Sequence, residues 1–145
     1  MKSFVPLIKL ATLKLDEKKR KLGEMESLRA NYEDKIAELE SEVQTEQAIA
    51  SGADDFFIGR SFPQFVAAAK AKRENFQTTI DQIGKQIEVA RLEVQAAYQE
   101  VRKYEIAEEK RLEREKQERD RRENAAMDEL AMTVHRRRRM ATAEA

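Results

Sequence analysis

Apolar residues in this chain recur every seven positions in two long runs, and a single break separates the runs. The first run places Ile8, Leu15, Leu22, Ile36 and Val43 at one seam position, with Met25, Tyr32 and Leu39 at the other. The second places Val66, Ile80, Ile87, Val94 and Val101 at one position, with Ala69, Phe76, Ile83, Ala90, Ala97 and Tyr104 at the other. Such a repeat keeps one narrow stripe of a helix facing a partner helix. The segment between the runs, SGADDFFIGRSFP from Ser51 to Pro63, holds the Gly and Pro residues of a turn. The pattern predicts an all-α fold, an antiparallel two-helix coiled-coil hairpin with a longer C-terminal helix. A pair of helices has almost no interior, so function has to lie in what its surface and ends touch.

The boundaries follow from local signals. Pro6 is tolerated in a first helical turn, which predicts a first helix over about residues 6–50. Ser51-Gly52 reads as a stop, with Gly52 in the left-handed conformation of a C-terminal cap. Ser61 and Gln64 have capping-box spacing, and Pro63 suits a first turn, so the turn is expected over 51–62 and the second helix over about 63–139. Residues 140–145 are left as a tail of one coiled-coil unit spanning 1–145. Lys18, Arg29, Glu46 and Arg73 fall on seam positions, where polar residues weaken packing but fix register.

Past Tyr104 the apolar seam fades. Residues 108–124 read EEKRLEREKQERDRREN, with Leu112 as the one large apolar side chain. A segment this polar is held by ion pairs three or four residues apart, and Glu115–Arg119 and Glu118–Arg122 are expected. A turn near Phe57 sets Ile8 opposite Glu108, so residues beyond about Leu112 have no partner within the chain. At 1.5 Å per residue this leaves an overhang of some 45 Å.

Composition excludes several classes. Charged residues make up 39% of the chain, which fits a coiled coil. Lys and Arg number 28 and Asp and Glu number 28, a balance that argues against a nucleic-acid binder, which is normally basic overall. With no Cys and the one His135, neither a zinc site nor a His-based catalytic triad can be assembled. There is no phosphate-cradling glycine loop. No catalytic, cofactor-binding or metal-ligating residue and no small-molecule substrate is expected, so the chain reads as a non-enzyme. The absence of Cys and of a bilayer-length apolar run points to the cytoplasm.

Two surfaces stand out. At the C-terminal end Met127, Leu130, Ala131 and Val134 recur at helical spacing, Asp128 and Glu129 lie among them, and Arg136, Arg137, Arg138 and Arg139 follow. The arginines read either as a solvated tail or as a patch for an anionic partner. At the turn, Phe56, Phe57, Ile58, Phe62 and Phe65 cluster. They either plug the end of the hairpin or form a docking tip.

The layout resembles the FliJ family of coiled-coil proteins of flagellar type III export. The residues that carry the resemblance are NAAMDELAMTVHRRRR, Asn124 to Arg139, with Asp128-Glu129-Leu130-Ala131 ahead of the basic run. It implies a stalk whose terminal end enters the central pore of a hexameric export ATPase. It also implies contacts with the membrane export gate protein and with export chaperones, in the cytoplasm at the inner-membrane export apparatus. The residues themselves leave two other classes open, a self-associating structural coiled coil and, more remotely, a nucleic-acid-binding rod using the arginines.

Overall fold

A computed structural model of the chain describes residues 3–52 and 56–144, with side chains from residue 61 onward in the second stretch. Every element among the described residues is an α-helix. α1 spans Val5–Gly52 and α2 spans Phe56–Glu144. The fold is the expected all-α antiparallel hairpin with a longer C-terminal helix. As positions on α1 ascend through Lys18, Tyr32 and Glu40, their partners on α2 descend through Glu93, Phe76 and Arg73.

Contacts divide the chain into two units. Each level of a helix pair buries only its own short stretch of seam, so no common core ties all levels together. One unit, Thr12–Gln99, is the paired coil. Its buried side chains are Leu15, Leu39, Ala69, Ile83, Ile87 and Ala90, and Ile87 is fully enclosed. All are residues of the heptad stripes. Alanines at the seam let the backbones approach closely, and larger neighbours fill the space between. Tyr32 and Phe76 meet with ring centroids 5.9 Å apart, and the Lys35 ammonium lies 4.7 Å from the Tyr32 ring centre.

The charged seam residues are handled at the margin. Lys18 reaches Glu93 at 3.1 Å, Arg73 reaches Glu40 at 3.0 Å and Arg29 lies 4.0 Å from Glu33. Glu46 stays exposed. Such solvated pairs each contribute about 0–1 kcal/mol, so they orient the helices more than they stabilise them.

Three boundaries differ from the sequence expectation. α2 begins at Phe56 and carries Pro63 inside it, so Ser61 is no N-cap and residues 56–62 are not a turn. Proline there removes one ladder hydrogen bond and its ring crowds the carbonyl four residues back, yet the helix runs through it on both sides. α1 ends at Gly52 without any positive φ among the described glycines, so the left-handed cap is not used. Residues 53–55, the rest of the expected turn, lie outside the described residues. At the other end α2 runs on to Glu144 through residues assigned to a tail. Met140-Ala141-Thr142-Ala143 holds no Gly or Pro to stop it.

The second unit comprises Met1–Ala11 with Glu100–Ala145. Ala11 and Val101 are buried in it. Here the start of α1 meets α2 about one turn away from the expected register, because Ser3 and Phe4, rather than Ile8, adjoin Glu108.

Gly23 and Gly84 sit within helices, and a Cβ built on either meets nothing within 4 Å. Replacing Gly23 or Gly84 by alanine should therefore raise stability by about 0.5–1 kcal/mol each, because alanine loses less backbone entropy on entering a helix. Urea denaturation followed by circular dichroism reads this directly, and an unchanged or lowered midpoint contradicts it.

Candidate partner-binding site

In the unit formed by Met1–Ala11 and Glu100–Ala145, the charged extension of α2 begins at a buried ion cluster. Glu108 is only 8% exposed and is the one buried charged residue among the described residues. It accepts hydrogen bonds from the Phe4 amide at 2.8 Å and from the Ser3 hydroxyl at 3.3 Å. Arg111 grips both of its oxygens, Nη2 at 2.6 Å and Nε at 3.1 Å, a two-point charge-assisted contact. Arg111 Nη1 donates onward to Glu115 at 2.7 Å. The hydrogen bond from Arg111, then the Phe4 amide, holds the Glu108 carboxyl down to about 2, against an ordinary 4.5.

That depression has a definite sign. A carboxyl whose folded-state pKa lies below its unfolded value adds stability fully above about pH 4.5. The contribution is lost as pH falls from about 4.5 towards about 2. An acid titration followed by thermal melting should show wild type losing stability across that window. Glu108→Gln should start lower at neutral pH and fall less over the same range. Parallel curves for the two proteins contradict this account.

Beyond Glu115 nothing among the described residues of this unit packs on α2. Glu118 is half-buried by its own helical neighbours, pairing with Arg121 at 2.8 Å and Arg122 at 3.4 Å, while Arg119 to Glu144 are exposed throughout. The expected Glu118–Arg122 pair is present. Glu115 pairs with Arg111 instead of Arg119, because Arg111 is already held by Glu108 and its free nitrogen faces Glu115. The unpartnered stretch extends roughly 40 Å at 1.5 Å per residue.

The C-terminal candidates lie on this stretch. Met127, Leu130 and Val134 are exposed, as are Asp128 and Glu129. Arg136, Arg137, Arg138 and Arg139 are exposed and take part in no ion pair among the described residues. Since α2 continues to Glu144, the arginines do not occupy its last turn, where cations would meet the negative end of the helix dipole.

At the opposite sequence end of α2, in the unit Thr12–Gln99, Phe62 and Phe65 are half-buried. They line a groove with Glu46, Ala50 and Ser61. The side chains of Phe56, Phe57 and Ile58 lie outside the described residues. A larger groove of about 430 Å³ opens nearby in the same unit, with Leu39, Val43, Val66 and Ala69 as floor and Glu40, Lys70 and Arg73 on its rim.

Sequence reasoning missed the Glu108–Arg111 cluster, yet a signal was there. Seven residues after Val101 comes position 108, and seven after Tyr104 comes 111, so both continue the seam with charged residues. Among the described residues, no group of three or more His, Cys, Asp or Glu is disposed to hold a metal ion. No described helix is long and apolar enough to cross a membrane.

A charged helical pair with one helix extended beyond its partner defines a coiled-coil hairpin protein. The Flagellar FliJ protein family matches residues 1–140, and the chain belongs to that family. It is accordingly a flagellar export-related protein. No curated protein and no solved structure matches the chain.

Proposed function

We propose that the chain is a non-enzymatic stalk and adaptor of flagellar protein export. The C-terminal part of α2 engages the hexameric export ATPase, and other surfaces link it to the membrane export gate protein and to export chaperones. The working place is the cytoplasm, peripherally associated with the inner-membrane export apparatus. Phe62 and Phe65, with the neighbouring Phe56, Phe57 and Ile58, are the natural contact for one of those further partners.

One observation carries the reading. Consecutive residues of an α-helix are about 100° apart around its axis. Arg136 to Arg139 therefore project on every side of α2, and all four are exposed. A flat anionic surface reaches one side of a helix and favours charges spaced three, four and seven apart. A ring that surrounds the helix reaches all four. The central opening of a hexamer, with carboxylates on its wall, is a partner of that geometry.

A second reading has its own support. Met127, Leu130 and Val134 form an exposed one-sided apolar stripe, which favours pairing between copies of the chain. Sedimentation separates the two, since self-association gives a mass that rises with concentration and the adaptor gives a monomer.

Three full-length proteins test the ATPase contact: wild type, a variant with alanine at all four arginines, and the redistributed variant R137A/R138A/M140R/A143R. The last keeps the charge but gathers it on one face, at positions 136, 139, 140 and 143. Both variants should stimulate the hexameric ATPase with an apparent affinity about tenfold or more weaker than wild type. Wild-type behaviour by the redistributed variant rejects encirclement. Failure of wild type itself to stimulate the ATPase rejects the ATPase assignment.

A further inference from the structure

The Glu108–Arg111 cluster stands where apolar residues would be worth more. It occupies the next two seam positions after Val101 and Tyr104, and replacing a buried ion pair by packed apolar side chains commonly leaves a protein as stable or more so. Its retention at the point where α1 begins therefore calls for a role other than stability.

The seam itself specifies register poorly. Ile8, Leu15, Leu22, Ile36 and Val43 repeat every seven residues, and so do their counterparts on α2. A slide of one heptad replaces apolar by apolar along most of the stripe. The cross-helix ion pairs Lys18–Glu93, Glu40–Arg73 and Glu26–Arg91 would break, but all are substantially exposed, and water replaces them at little loss. The contacts of Glu108 differ in kind. They are largely buried, they are charge-assisted, and one is to the amide of Phe4, the residue that immediately precedes α1, a donor that no α1 carbonyl can satisfy. Ser3 divides its hydroxyl between the two helices, accepting from the Val5 amide at 3.1 Å while donating to Glu108 at 3.3 Å. The carboxylate of one helix thus completes the N-terminal cap of the other. A slide of α1 that covered positions 108 and 111 would press its seam against two charges. A slide the other way would strip the cap from Phe4.

We propose that Glu108 and Arg111 form a register latch that fixes where α1 starts on α2 and so sets how much of α2 is left unpaired. One heptad of slip changes that length by about 10 Å. The latch is a property of the chain alone and holds whether or not the ATPase assignment is correct.

The chain has no Cys, so two introduced cysteines are its only thiols. Leu7 and Leu112 are both exposed and belong to the unit that holds the latch. Spin labels at these positions in L7C/L112C should give one narrow distance by double electron–electron resonance. Adding E108L/R111L should keep or raise the melting temperature but broaden the distribution, or add a second population displaced by about 10 Å. A single narrow distance in that variant overturns the proposal. Glu108→Gln, which needs no repacking, gives an independent reading by hydrogen exchange. Protection should fall in the first turns of α1 while residues 80–95 exchange as in wild type. Unchanged exchange in those first turns overturns the proposal as well.

Discussion

One narrow apolar stripe on each helix holds this protein together. The buried residues are mostly alanine, leucine, isoleucine and valine at heptad spacing, with Ile87 fully enclosed. Apolar burial is worth about 25 cal/mol per Å², and a stripe this thin offers little of it. Everything else is arranged around that scarcity. Charges are held at the margins of the seam, where water still reaches them, and the one buried carboxylate has every oxygen engaged.

The stripe was legible from the sequence because period is the strongest signal a helix pair can write. The buried residues of the paired coil, from Leu15 and Leu39 to Ile83 and Ile87, are the ones the heptads mark. The ends were less legible, for physical reasons. Pro63 and the Ser61–Gln64 spacing satisfy the local rules of a helix start, but a helix that gains pairing can carry one proline and begin earlier, at Phe56. At the start of α1, Ser3 and Phe4, rather than Ile8, adjoin Glu108. Counting heptads by hydrophobicity alone ends the seam at Tyr104, whereas counting by position carries it to Glu108 and Arg111.

The candidate site was legible as composition but not as geometry. An arginine run and a short apolar stripe are visible in the letters. That α2 continues past them to Glu144, and that the arginines stand free of ion pairs among the described residues, is information only the fold supplies. Phe62 and Phe65 line one groove with Ala50, a juxtaposition that spacing along the sequence does not display.

Charge placed all the way around an axis has a mechanical meaning. Four arginines at about 100° intervals give a field that changes little as α2 turns inside a surrounding ring. In the ring-binding role proposed above, such a collar would act as a bearing, attractive but without a preferred angle. The stripe of Met127, Leu130 and Val134, one to three turns earlier, points to one side only and behaves as a key, favouring a single angular setting. In that role the end of α2 would carry both a smooth journal and an index mark, their centres about 10 Å apart on the same helix.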